Sequence, residues 1–185
     1  MQGIEQTRSA PVEAARGAEA ARGAEASQYL AFLLDRETFA IRILVIREII
    51  EHRPLTAVPM MPSWIAGVIN LRGAAVPVVD LSVRFGRPAT QVTKRTCIVI
   101  VEVDLGGQRR NVGLVVDSVQ AVLEIARREI EPVPAFGMKL NTEFLTGVGK
   151  VDGKFVILLN VDRVVAAEDL AAASAGVGAA GAEAS

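Results

Sequence analysis

The sequence predicts a mostly β protein made of short strands and tight turns. Three pairs of apolar runs flank short loops at residues 35–37, 106–107 and 152–153. The Gly-Gly and Asp-Gly loops tolerate the positive φ that two-residue hairpin turns require. Because the strands are short, numerous and tightly connected, we expect barrels rather than a parallel sheet.

The three predicted hairpins account for six strands. Each strand contains β-branched or aromatic residues such as Val, Ile or Phe, which suit a pleated, half-buried surface. The predicted strands span residues 28–34 and 38–43, 97–105 and 108–117, and 146–151 and 154–159.

The central stretch GVINLRG at residues 67–73, followed by AAVPVVDL at 74–81, predicts two further strands separated by a glycine. Pro77 has no N–H to donate to a sheet, so its strand is expected at an edge or a bulge. Arg72 is a lone charge on this apolar frame. On position alone it is either a solvated charge or a recognition residue.

Asp80 and Asp117 each end a strand in the string VVD. Both carboxylates are expected to accept backbone hydrogen bonds in the turns that follow. The match between residues 77–80 and 114–117 is a faint internal echo, of the kind that two related barrels would produce.

Two short helices are expected between and after the strands. Pro62 and Gly67 frame one helical turn at residues 63–66, because proline suits a helix start and glycine a helix end. From Asp162 onward, apolar residues up to Leu170 predict a terminal amphipathic helix.

Few residues in this chain suit catalysis. The single histidine, His52, lies in a charged patch and is expected on the solvated surface, while the single cysteine, Cys97, lies in an apolar strand and is expected to be buried. No P-loop, GxSxG or HExxH string occurs, and a zinc site would lack a second His or Cys. We therefore expect neither an enzyme nor a metal or cofactor site.

Charge and hydropathy narrow the partner classes. Net charge is −1 and aromatic content 4%, whereas an oligonucleotide-binding barrel needs a basic groove and stacking aromatics. No apolar run approaches the roughly 18 residues of a membrane helix. We expect a cytoplasmic interaction protein with no nucleic-acid partner and no direct membrane insertion; a small ligand- or oligonucleotide-binding barrel is the alternative from a different class.

The two ends differ in composition from the middle. Residues 13–24 repeat EAARGA twice, and the chain beyond residue 171 is almost entirely Ala, Gly and Ser. Neither end has a large apolar face to bury. We expect disordered arms at residues 1–27 and 171–185 around one domain at residues 28–170.

Nine short strings, in order through residues 28–168, together resemble the CheW family of chemotaxis coupling proteins. The strings are YLAFLL, FAIR, IREI, PSWIAG, GVINLRG, VPVVDL, GLVVDSV, TEFLTG and ILLNVD. The resemblance implies two SH3-like five-stranded β-barrel subdomains with short helices and a C-terminal helix. It also implies an adaptor that bridges the cytoplasmic tips of methyl-accepting chemotaxis receptors to the regulatory domain of a CheA-type histidine kinase, recruited to membrane-associated receptor arrays.

The resemblance also implies a receptor-binding groove between the two barrels. Ile46 and Glu48 match its apolar and acidic residues, Arg72 belongs to the same surface, and Gly67 and Gly73 shape it. An exposed ion pair stabilises a fold by only ~0–1 kcal/mol. At a desolvated interface, loss of one partner can cost ~2–5 kcal/mol of binding.

Three related alternatives remain open. The same fold ends CheA kinases and begins CheV proteins, so the chain could be a fragment of a larger regulator. It ends soon after the last predicted strand, without a receiver-like acidic cluster or an ATP-binding segment, which favours the stand-alone form. A CheW-like module could also serve a non-flagellar chemosensory pathway.

Overall fold

A computed structural model describes residues 26–134 and 140–165, and within them the chain is mostly β. Two one-turn helices, α1 (Leu81–Arg84) and α2 (Val161–Val164), follow strands of different sheets. The strands of the described residues are β1 (Ala26–Leu34), β2 (Glu37–Arg42), β3 (Ile46–Glu51), β4 (Ile65–Leu71), β5 (Ala74–Asp80), β6 (Cys97–Leu105), β7 (Gln108–Val116), β8 (Ser118–Ala126), β9 (Ile130–Glu131), β10 (Leu145–Val151) and β11 (Lys154–Leu159).

The strands form two sheets that divide the chain unevenly. The five-stranded sheet, in the order β3-β6-β7-β5-β4, uses the middle of the chain. The six-stranded sheet, in the order β8-β1-β2-β11-β10-β9, combines the first hairpin with the last strands. Each sheet contains one parallel pair, β5 with β7 and β2 with β11. The six-stranded sheet therefore joins the N-terminal hairpin to strands from the C-terminal half of the domain.

The prediction of two five-stranded barrels is only partly correct. One sheet has a sixth strand, because the two residues of β9 pair with β10. Neither ladder of hydrogen bonds closes within the described residues, since the outer strands of each sheet do not pair with each other. Other segments of the chain nevertheless connect the outer strands of each sheet. Thr56, after β3, exchanges backbone hydrogen bonds of 3.0 and 2.9 Å with Val68 of β4, and β8 continues through a 3₁₀ turn, Arg127–Glu129, into β9.

The three predicted hairpins are confirmed as β1–β2, β6–β7 and β10–β11. Their strands begin or end up to two residues from the predicted limits. The first loop is shorter than predicted, because β2 begins at Glu37 and leaves a two-residue turn. All three turns place both residues at positive φ, from 46° at Asp35 to 87° at Gly107. Local turn chemistry therefore defines these hairpins.

The predicted helical turn at residues 63–66 is wrong. The Ile65 amide donates to Pro62 O at 3.0 Å, which closes a turn, and β4 begins at Ile65. Ile65 then pairs with Val79 of β5. Sheet pairing thus overrides the local helix-start signal of the proline.

The strand that contains Pro77 is not at an edge, because β5 lies between β4 and β7. The β4–β5 ladder does have a bulge close to the proline, between Ile65 and Gly67, opposite Val79 and Val78. Pro77 pairs with Val68 on one side, and the parallel ladder to β7 begins only at Val78. The proline therefore precedes the part of β5 that needs hydrogen bonds on both sides. This placement explains how an internal strand accommodates a residue without an N–H.

The terminal helix is confirmed only in its first turn. The Asn160 side chain accepts a hydrogen bond at the start of α2, and Val164 and Val165 are buried. Leu170 and the two predicted arms lie outside the described residues, apart from Ala26 and Ser27, which belong to β1.

One buried apolar cluster draws side chains from both sheets. Phe32 and Phe39 stack with ring centroids 6.2 Å apart, and Phe85 continues the row to Phe39 and Phe144 at 5.7 and 5.8 Å. Most other members are Val, Leu and Ile. These four phenylalanines thus form a continuous row in or against the cluster that both sheets share.

Residues 64–84 and 144–164 repeat the same structural order. Each begins with an aromatic residue, Trp64 or Phe144, and continues through a hairpin to a capped one-turn helix. The repeat differs from the sequence echo, because β5 corresponds to β11 rather than to β7. Arg84 joins the two copies: its guanidinium lies 4.5 Å from the Trp64 ring and 4.8 Å from the Phe144 ring.

Asp80 holds three hydrogen bonds as it leaves β5. Its Oδ1 accepts from the Ser82 amide at 3.0 Å and from Thr90 Oγ1 at 2.8 Å, and its Oδ2 accepts from the Thr90 amide at 2.9 Å. The predicted role of Asp80 as a backbone acceptor is confirmed. Asp117 also accepts a backbone hydrogen bond, but from the Asp35 amide in the β1–β2 turn rather than from a turn that follows.

Replacement of Asp80 by alanine is expected to lower the free energy of unfolding by about 3 kcal/mol, because it leaves part-buried donors without an acceptor. Asp117→Ala is the matched control, since it removes one exposed hydrogen bond and is expected to cost about 1 kcal/mol. Urea unfolding of both variants measures the difference. Equal losses would show that Asp80 is not a special anchor.

Candidate functional site

The turn between β4 and β5 projects one arginine from the five-stranded sheet. Arg72 and Gly73 have φ of 53° and 86°, the geometry of a two-residue hairpin turn. Asn70 Oδ1 accepts a hydrogen bond of 2.9 Å from the Gly73 amide. The turn thus holds the Arg72 side chain outward, with 81% of its surface exposed.

Glu48 meets this arginine from the opposite edge of the same sheet. Arg72 Nη2 lies 3.3 Å from Glu48 Oε2, and the Glu48 side chain is 24% exposed. Glu48 lies in β3 and Arg72 follows β4, the two outer strands of the sheet. Two of the five predicted site residues are therefore brought together at the surface by the curl of the sheet.

The other three predicted site residues lie in the supporting frame. Ile46 is completely buried in the cluster shared by both sheets. A Cβ at Gly67 would stand 2.6 Å from Thr56 O, where the chain crosses β4. Gly73 has open space around it and is needed for its positive φ alone.

A second charged cluster lies on β3, β6 and β7. Arg47 and Arg109 both donate to the Glu102 carboxylate. The hydrogen bond from Arg47, together with the charges of both arginines, holds the pKa of Glu102 below its usual value. No sequence motif indicated this cluster, because Arg47 is distant in sequence from Glu102 and Arg109.

A groove of about 840 Å³ lies between β3 of one sheet and β8 of the other. Half-buried Ile49 and Val119 form part of its apolar lining, while Lys94 and Arg95 also line it. Both strands are outer strands of their sheets. The family resemblance implies a receptor-binding groove between two barrels, and this groove lies between one outer strand of each sheet.

Cys97 also lines this groove and is half-buried, not fully buried as predicted. Its Sγ donates to Arg95 O at 3.3 Å. His52 is also half-buried, and its backbone amide donates to Thr96 O at 3.2 Å. Within residues 26–134 and 140–165, no group of three or more His, Cys, Asp or Glu residues could hold a metal ion.

The sequence of this domain matches a known family. The family model described as "CheW-like domain" matches residues 28–169. The chain belongs to the CheW family. In the described part of this family member, no helix is long and apolar enough to cross a membrane.

Named relatives and a solved structure agree with this membership. The chain is 35% identical over 144 residues to the chemotaxis protein CheW of Klebsiella aerogenes, an alignment that covers 78% of this chain and 84% of the relative. It is 36% identical over 146 residues to the chemotaxis protein CheW of Rhizobium meliloti, covering 79% and 92%. The crystal structure of the scaffolding protein TtCheW from Thermoanaerobacter tengcongensis aligns with a TM-score of 0.66 and 35% identity, over 73% of this chain and 84% of that chain.

The two glycines of the NLRG region should differ in their tolerance of alanine. Gly67→Ala is expected to cost about 3 kcal/mol of unfolding free energy, because the new methyl group meets a backbone carbonyl. Gly73→Ala is expected to cost about 1 kcal/mol, because only the positive φ is strained. Chemical unfolding of both variants tests this order, and an equal or reversed order would contradict it.

Proposed function

We propose that this chain is an adaptor that couples methyl-accepting chemotaxis receptors to a CheA-type histidine kinase. Its family membership and the names of its relatives, chemotaxis proteins and a scaffolding protein, support this function. The single observation that carries the site assignment is the exposed Glu48–Arg72 pair. It lies on the turn and the strand where the family resemblance places receptor contacts.

The groove between β3 and β8 supplies the apolar part of the proposed receptor surface. Glu48 is followed in β3 by Ile49 and Ile50, and both isoleucines line the groove. One strand therefore carries a charged contact and apolar contacts in succession. A helix with an apolar stripe can dock in such a groove, while charges at the rim fix its register.

The charge pair fits recognition better than stability. With Arg72 81% exposed, water screens the attraction, and the pair adds at most about 1 kcal/mol to folding. A receptor that covers the pair removes that water. The contribution of each charge to the free energy of binding then becomes much larger, and its sign depends on the group that the receptor places opposite it.

We further propose that the adaptor acts by position and performs no chemistry of its own. The regulatory domain of the kinase would bind a surface separate from the Glu48–Arg72 pair, so that receptor and kinase are held together. In this proposal the protein is cytoplasmic and joins receptor arrays at the membrane. The two curled sheets are, in the same proposal, variants of SH3-like barrels.

Charge reversal at Glu48 or Arg72 is expected to weaken receptor binding while leaving the fold intact. Glu48→Lys or Arg72→Glu should each reduce affinity for a receptor cytoplasmic fragment by roughly 30–150-fold, the equivalent of ~2–3 kcal/mol. The free energy of unfolding should change by less than about 0.5 kcal/mol. Calorimetric titration and thermal melting of the full chain measure the two quantities.

Two further variants complete this test. Glu129→Lys reverses an exposed charge in the 3₁₀ turn before β9 and should bind receptor normally. The double variant Glu48→Lys with Arg72→Glu should recover part of the affinity if the two charges also pair with each other. Normal receptor binding by both folded single variants would remove this surface from the proposal.

The groove is tested separately by a bulky residue at its rim. Ala121 is exposed on β8 and lines the groove, so Ala121→Arg should block a docking helix and weaken receptor binding roughly tenfold or more. Ala66→Arg places the same side chain at an exposed position of β4 that does not line the groove. Equal receptor affinity for these two variants would argue against the groove.

A further inference from the structure

Arg72 occupies a backbone conformation that suits its residue type poorly. The first position of this two-residue turn, at φ 53°, favours Asn, Asp or Gly. The corresponding turn of the structural repeat follows that rule, since Asp152 and Gly153 have φ of 50° and 76°. The turn that carries the proposed receptor contact is therefore the one whose sequence fits its geometry less well.

A side-chain acceptor that the corresponding turn of the repeat lacks compensates for the mismatch. Asn70 Oδ1 accepts from the Gly73 amide at 2.9 Å and so closes the turn from inside the hairpin. In the repeat, Lys150 stands at the position of Asn70, and a lysine side chain has no acceptor with which to make this bond. The acceptor is thus present at the turn whose first residue is Arg72. It is absent at the corresponding turn, where Asp152 adopts the positive φ readily.

Among the described residues, a second turn away from the proposed site has the same kind of hydrogen bond. Asp104 Oδ1 accepts from the Gly107 amide at 2.9 Å, across the turn formed by Gly106 and Gly107. The spacing from acceptor to glycine equals that from Asn70 to Gly73. This second turn carries no arginine, which makes it a control for the stability that the bond contributes.

We propose that Asn70 is a positioning residue, whose amide oxygen holds Arg72 in the left-handed conformation that directs its guanidinium toward Glu48 and the receptor. This inference rests on the proposed function of the Arg72 surface. The Asn70 side chain acts through the Gly73 amide and not by contact with the receptor. Its contribution to binding should therefore exist only while Arg72 is present.

The experiment is a double-mutant cycle on the full chain, read by calorimetric titration with a receptor cytoplasmic fragment. Asn70→Ala should weaken binding roughly fivefold, the fold-change expected from loss of one ordering hydrogen bond. Asn70→Asp keeps an acceptor oxygen and should restore most of the affinity. In an Arg72→Ala background, Asn70→Ala should cause no further loss.

Asp104→Ala removes the equivalent bond at the Gly106–Gly107 turn. It should lower the melting temperature about as much as Asn70→Ala does and leave receptor affinity unchanged. Amide hydrogen exchange provides a readout without receptor. Exchange at Gly73 should accelerate in Asn70→Ala and return toward the wild-type rate in Asn70→Asp.

These outcomes distinguish a failure of the positioning role of Asn70 from a failure of the proposed receptor surface. If Arg72→Ala alone binds receptor normally, the proposed receptor surface fails, and Gly73 exchange alone then decides whether Asn70 holds the turn. If Arg72→Ala weakens binding but Asn70→Ala does not, the positioning role is overturned. An equal effect of Asn70→Ala with and without Arg72 would overturn it as well, since Asn70 would then act independently of the arginine.

Discussion

Two residue pairs, Phe39 with Ile157 and Ala40 with Leu158, attach the first hairpin of the domain to the last. This short parallel ladder is the contact on which the other long-range arrangements depend. Through it, β1 and β2 enter the six-stranded sheet, and β8 then pairs with the free side of β1. Because β8 also forms one wall of the groove, its pairing with β1 ties the groove to the N-terminal hairpin.

The proposed site separates rigid support from exposed charge. Ile46 and Gly67 are held by the core and by a close backbone crossing, so neither is free to respond to a partner. Glu48 and Arg72 project from this frame, and their mutual attraction is weak in water. A surface of this kind changes little in shape on binding, and a partner gains affinity without first ordering a loop.

The sequence was sufficient for features set by neighbouring residues and insufficient for those set by distant ones. The turns at Gly106–Gly107 and Asp152–Gly153 were predictable because the tolerance of glycine for positive φ does not depend on the surrounding tertiary structure. The helical turn at residues 63–66 was wrong because its strand pairing outweighs a local signal. The burial of Ile46 was missed because an apolar side chain fits a core and a groove equally well. The Glu48–Arg72 pair came from the family resemblance, since no local pattern links a strand to a distant turn.

The open edges of β3 and β8 have a consequence for how the protein behaves when alone. An outer strand offers unpaired backbone groups to any other extended chain, which invites edge-to-edge association. Lys94, Arg95 and Glu51 line the groove between these strands. Charged side chains beside a strand edge disfavour its pairing with another extended chain, because pairing would remove water from the charges. The charged rim of the groove therefore opposes edge-to-edge association between copies of this chain.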